Sequence, residues 1–152
     1  MGILTEDMRQ VVEAQLGFIA TVCPDGTPNL SPKGTTAVWD DDHLVFADIR
    51  SPGTVANLRS NPSIEINVVD QLIRKGYRFK GTAVVHTDGE LFERGIRFYE
   101  ARGTAKTRER IRGIVLVRVE RALAVTSPAY DLGASEQELR ELMLARLTGG
   151  NR

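Results

Sequence analysis

Apolar residues first recur at helical spacing, as Met8, Val11, Val12 and Leu16, and then switch to short continuous runs bounded by turn chemistry. Thr5 suits the N-cap of that opening helix, Glu6 and Asp7 suit its positive end, and Gly17 stops it. Phe18 to Val22 is a run of β-formers. Pro24-Asp25-Gly26-Thr27 then returns the chain into a strand from about Pro28 to Trp39, which makes a hairpin. Asp40-Asp41-Asp42 turns it again into a third strand, Leu44 to Ala47, ending at Asp48 to Arg50.

Ser51 reads as the N-cap of a short helix with Pro52 at the first helical position, where its missing N–H costs nothing. Val55 and Leu58 give that helix a buried side before Asn61-Pro62 ends it. Ile64 to Asp70 predicts a fourth strand. Tyr77 to Val85 predicts a fifth, with Tyr77, Phe79, Ala83 and Val85 on one face and Arg78, Lys80 and Thr82 on the other. Asp88-Gly89 introduces a helix that turns Leu91, Phe92, Ile96 and Tyr99 inward and closes near Gly103. Ile114 to Val125 is a long sixth strand, and Val115, Val117 and Val119 against Leu116 imply burial on both faces. Ser135 and Glu138 form a capping box for a last helix striped by Leu139, Leu142, Met143 and Leu147. Six strands with hairpin-like neighbours and short helices predict a mainly β (α+β) fold, an antiparallel barrel flanked by helices.

The chain has 152 residues, 41% of them hydrophobic, which suits a single domain over residues 1–152 with one core. Twenty basic and twenty acidic residues cancel, so no global field would hold a nucleic acid or an anionic membrane. A charged ligand must be caught locally. Cys23 is the only cysteine, which fits a reducing compartment. The acidic, helical N-terminus and the lack of any run of transmembrane length give a cytoplasmic expectation. A barrel of this size leaves apolar outer faces, so a homodimer is expected.

No serine, histidine and aspartate set, phosphate loop or dinucleotide glycine fingerprint is present, so any chemistry must be borrowed from a cofactor. His43 and His86 lack metal-ligand spacing, and no metal is expected. Cys23 suits a small core or rim residue, Trp39 a seam, and Arg108, Arg110 and Arg112 a solvated approach to the sixth strand. Two polar clusters stand out: Asn29-Leu30-Ser31-Pro32-Lys33-Gly34-Thr35-Thr36 and Arg50-Ser51-Pro52-Gly53-Thr54. A glycine-softened strand with a lysine, beside a helix start furnished with arginine and hydroxyls, suits a flat ring and a phosphate. The first cluster equally suits an irregular edge strand, and the second an ordinary helix start.

The order of motifs settles more than any one of them. Gly17-Phe18-Ile19-Ala20-Thr21-Val22, Pro24-Asp25-Gly26-Thr27-Pro28, Ser31-Pro32-Lys33-Gly34, Arg50 to Thr54 with Asn57-Leu58 and Asn61-Pro62, Arg74 to Gly81, and Ser127-Pro128-Ala129-Tyr130-Asp131 follow one another along nearly the whole chain. In this order they resemble the pyridoxamine 5′-phosphate oxidase-related, FMN-binding split β-barrel family. The resemblance implies a split barrel that binds FMN at a homodimer interface and acts as a flavin-dependent oxidoreductase on a small-molecule substrate. It implies ring contacts at Ser31, Lys33, Gly34 and Thr35, phosphate contacts at Arg50, Ser51, Thr54 and Asn57, and residues near Lys75, Tyr77 and Tyr130 that approach from the partner or line the open ring face, with Arg78 also counted among the cofactor-binding residues. Two departures qualify it. Gly53-Thr54 stands where many members carry a basic pair, so Arg50, Lys75 or Lys80 must supply the charge. The oxidase itself has a longer chain with a C-terminal arginine and histidine set that grips its substrate, whereas the run Leu144 to Gly150 has neither histidine nor tryptophan, so a true pyridoxamine 5′-phosphate oxidase is not expected. A non-catalytic flavin carrier or sensor is an alternative, as is a deazaflavin F420 reductase whose acidic tail would follow Arg74, Lys75 and Arg78.

Overall fold

The computed structural model describes residues 1–104 and 106–149; Gly150, at the end of the quoted C-terminal run, lies outside them. The elements run α1 (Glu6–Ala14), β1 (Gly17–Val22), β2 (Pro28–Lys33), β3 (Ala37–Val38), β4 (His43–Asp48), α2 (Pro52–Ser60), β5 (Ser63–Asp70), β6 (Lys75–His86), α3 (Gly89–Ala101), α4 (Thr107–Arg110), β7 (Gly113–Thr126), a 3-10 turn (Pro128–Leu132) and α5 (Glu136–Leu147). The sheet has seven strands rather than the six predicted, because the strand expected from Pro28 to Trp39 breaks at residues 34–36. The cause is local. The Lys33 carbonyl accepts both the Thr36 N–H (3.2 Å) and the Thr36 hydroxyl (2.8 Å), which folds a turn instead of extending a ladder.

That break closes the fold. The strands pair antiparallel in the order β2-β1-β5-β6-β7-β4-β3, so the halves of the broken strand are the opposite edges of the sheet. Seven strands laid flat would hold those edges about 29 Å apart. The chain from Lys33 to Ala37 reaches at most about 14 Å. The sheet therefore curls into a half-barrel split at this turn, with the helices flanking it.

Ile19, Leu44, Phe46, Ile66, Val68, Phe79, Val115 and Val117 are fully buried inside the curl, where Val12 of α1 joins them. On the outer side of β4 and β7, α3 buries Ile96 and Tyr99 against Val45, Ala47, Ile111 and Ile114. β7 is thus covered on both faces over this stretch, as its valine pattern predicts. α3 can come this close because residue 95 is glycine; a Cβ there would sit 2.5 Å from Ile114 Cγ1.

Thr5 caps α1, its Oγ1 accepting the Met8 N–H at 3.3 Å, and the Ser135–Glu138 capping box of α5 is complete. Pro52 opens α2 as expected, but the Ser51 side chain makes no cap bond. Instead the Ser51 N–H donates to Asp48 Oδ1 at 3.0 Å. The α5 stripe is buried only at Leu139 and Met143. Leu142 and Leu147 are exposed, since the helix is tied to the body along one side by Lys75–Glu136 (3.0 Å) and Arg140–Asp70 (4.0 Å). Among the described residues no helix is long and apolar enough to cross a membrane.

Candidate functional site

Thr35 fastens the turn after β2 to two other elements. Its Oγ1 accepts the Ala47 N–H of β4 at 2.9 Å, and its carbonyl accepts the Tyr99 hydroxyl of α3 at 2.7 Å. One residue after Ala47, the Asp48 carboxylate takes the Ser51 N–H and turns the chain into α2. The turn that carries Lys33, Gly34 and Thr35 is therefore tied through the end of β4 to the segment that leads Arg50 and Ser51 into α2. Lys33 Nζ donates to Ser31 Oγ at 2.5 Å. Burial pulls the Lys33 pKa below the ordinary lysine value, and the nearby Asp48 carboxylate opposes that pull. Arg50 is exposed and makes no hydrogen bond or ion pair among the described residues.

Two glycines on these segments have no reason internal to the chain. Neither Gly34 nor Gly53 has a left-handed backbone, and a Cβ at either would meet nothing within 4 Å. Gly53 is the second residue of α2, where alanine, the best helix former, would fit without a clash. The N–H groups of Gly34 and Thr35 make no hydrogen bond among the described residues. The turn and the tip of α2 thus offer two bare backbone amides, two cations and room for a side chain at each glycine.

The remaining expected site residues lie elsewhere or are engaged inside the chain. Thr54 and Asn57 are buried, and Asn57 Nδ2 donates to Thr21 Oγ1 at 3.1 Å and to Cys23 Sγ at 3.6 Å. Lys33 and Tyr77 share one row across the sheet, Lys33–Gly17–Val68–Tyr77, which separates them by three strand spacings, about 14 Å. Tyr77 donates its hydroxyl to Asp7, and Lys75 pairs with Glu136 at 3.0 Å and lies 4.3 Å over the Tyr130 ring. Those two line a cleft of about 620 Å³ between α1, β6 and α5. Arg78 faces outward, 3.9 Å from Glu65, which also holds Lys80 at 3.0 Å. Beside that ion group the outer face carries Phe18, Leu30 and Pro32, with Leu30 64% exposed.

Two residues escape the sequence reading. Asp48 had a signal, an acidic residue ending an apolar strand just before Ser-Pro. Tyr99 had none, because a tyrosine in an apolar helical stripe looks like any other core residue.

A family model described as pyridoxamine 5′-phosphate oxidase matches residues 4–125, from the start of α1 almost to the end of β7. An uncharacterised protein of Methanocaldococcus jannaschii is 32% identical over 89 residues, which span 57% of this chain and 59% of that protein, less than two thirds of the curated relative. Among solved structures, HupZ of Group A Streptococcus is similar at 31% identity and a TM-score of 0.74, over 82% of this chain and 96% of that one. An FMN-binding protein from Syntrophomonas wolfei shares the fold at 18% identity and a TM-score of 0.68, over 82% of this chain and 87% of that one. An F420 reductase shares it at 22% identity and a TM-score of 0.60, over 78% and 98%. With its curled antiparallel sheet, its split at the Lys33 turn and a family match that spans all seven strands, the chain belongs to the pyridoxamine 5′-phosphate oxidase family.

Proposed function

We propose that this protein binds FMN at the mouth between the Lys33–Thr36 turn and the tip of α2, and that as a cytoplasmic homodimer it serves as a flavin-dependent oxidoreductase for a small molecule. One observation carries the reading. Gly34 and Gly53, both free of internal constraint, lie on the turn and the tip of α2 with Lys33, Arg50 and the unspent N–H groups of Gly34 and Thr35. A ring plane can approach the backbone where Gly34 has no Cβ, with Lys33 near its pyrimidine end. A phosphate dianion suits Arg50 and the first N–H groups of α2. FMN would supply the electron transfer, while the side chains bind it, orient it and tune it.

In this reading Lys75, Tyr77 and Arg78 reach the flavin from a second copy: within one chain Gly17 and Val68 stand between Lys33 and Tyr77, and Arg78 faces outward beside Glu65. The outer band of Phe18, Leu30 and Pro32 beside the Glu65 ion group is the surface offered for that pairing. The F420 alternative would use the same groove with Arg74, Lys75 and Arg78 as its basic runway, of which Lys75 and Arg78 pair with Glu136 and Glu65; titration with F420 beside FMN separates the two readings. A carrier differs from an oxidoreductase in having no physiological reductant able to reduce its bound flavin.

The test is Arg50→Ala with FMN affinity followed by flavin fluorescence. Loss of a charge-assisted phosphate contact should cost about 1.5–3 kcal/mol, roughly a 10- to 150-fold weaker dissociation constant. Unchanged affinity would remove Arg50 and the α2 tip from the site.

A further inference from the structure

Tyr99 belongs to α3, on the face of the sheet away from the barrel interior, and it is 2% exposed. Its ring packs edge-on to Phe98 at 5.1 Å, and α3 is pressed onto β7 by the Gly95–Ile114 contact. A phenylalanine would satisfy that packing equally well, as Phe92 and Ile96 do on the same stripe. The hydroxyl is the part that packing does not explain. It donates to the Thr35 carbonyl at 2.7 Å, and that carbonyl has no other partner among the described residues. Burial pushes the phenol well above its ordinary pKa, so the hydroxyl stays a donor; Arg102 and Glu13, the charged groups that face it, are paired with each other.

We infer that Tyr99 is a positioning residue for the cofactor mouth: from behind the sheet its hydroxyl holds the Lys33–Thr36 turn so that the Gly34 and Thr35 amides face the ligand. This rests on the FMN reading above and adds to it a residue that touches no cofactor. Thr35 is held on two sides: its carbonyl by Tyr99, and its Oγ1 by Ala47, whose N–H it accepts at 2.9 Å and to whose carbonyl it donates at 3.5 Å. With only the second left, the residue can swivel about its own side chain. The Thr36 bonds to the Lys33 carbonyl still close the turn, but the Thr35 peptide loses its own anchor, and its N–H and the Gly34 amide next to it are held less tightly.

Tyr99→Phe separates positioning from stability, since the ring contacts persist and only the oxygen is lost. In the protein without flavin, amide hydrogen exchange at Thr36 and Ala47 should quicken about tenfold, and the FMN dissociation constant should rise by a similar factor. The visible circular dichroism of the bound flavin should change with it. Ile96→Val, which trims the same cluster without reaching the turn, should lower thermal stability and leave FMN affinity and the dichroism as in the wild type. A Tyr99→Phe protein with wild-type FMN affinity and dichroism overturns the inference. If the wild-type protein itself takes up no FMN, the cofactor reading falls, and the Thr36 and Ala47 exchange rates still decide whether Tyr99 holds the turn.

Discussion

At Gly53 an alanine methyl would project into open space in the first turn of α2, and at Gly34 into open space beside Lys33. Gly53→Ala should therefore raise the stability of the flavin-free protein by about 0.5–1 kcal/mol while weakening FMN binding. Opposite signs in thermal unfolding and in titration are the signature of a glycine kept for a ligand; a stabilised variant with unchanged affinity would return Gly53 to the ordinary surface. Lys33 makes a second prediction. Its pKa lies below the ordinary lysine value chiefly through burial, opposed by Asp48. The unfolded chain therefore holds this proton more tightly than the folded one, and between the two pKa values stability rises with pH. FMN binding has the opposite sign, because the pyrimidine oxygens of the ring accept a stronger hydrogen bond from the charged lysine, most of all once reduction brings negative charge to that end. Affinity should be full at neutral pH and fall as pH rises through the lowered pKa, before an ordinary lysine would titrate. In Lys33→Arg, charged throughout, that fall should vanish.

Among the elements, the hairpins, α1, α3 and the α5 capping box were legible because each is written locally: Thr5 with Glu6 and Asp7, Pro24 to Thr27, Ser135 with Glu138. Ser135→Ala accordingly should cost about 1 kcal/mol of stability and leave FMN affinity untouched, as unfolding and titration can check together. What the sequence hid depends on groups brought together in space. The break between β2 and β3 needs the Thr36 hydroxyl on the Lys33 carbonyl, and the resulting edges meet only once the sheet has curled. The start of α2 follows the same rule. Ser51 looks like a cap, yet its own N–H is taken by Asp48, a residue read only as the end of a strand. Of the candidate site, the two polar clusters could be found from residue types alone; the Tyr99 hydroxyl behind them could not.

For the whole molecule, formal neutrality leaves nothing to concentrate an anion at long range, so capture depends on the local mouth and on whatever a second copy adds. If the outer face of β1 and β2 pairs two chains, Leu30→Glu should give a folded monomer in sedimentation and lose FMN at the same time, since Lys75, Tyr77 and Arg78 would no longer arrive. A monomer that still binds FMN at wild-type affinity would confine the site to one chain. The family order of motifs was readable along the chain because turn and strand signals recur in sequence; which residues meet across a pair of chains was not, because no local pattern records them. The most direct measurement is calorimetric titration of the flavin-free protein with FMN and, separately, with riboflavin, which has the ring and no phosphate. Saturable uptake of one FMN per chain is expected, with riboflavin at least about tenfold weaker for want of the Arg50 and α2 contacts. No saturable uptake, or equal affinity for both, would contradict a ligand held between the Lys33 turn and the tip of α2.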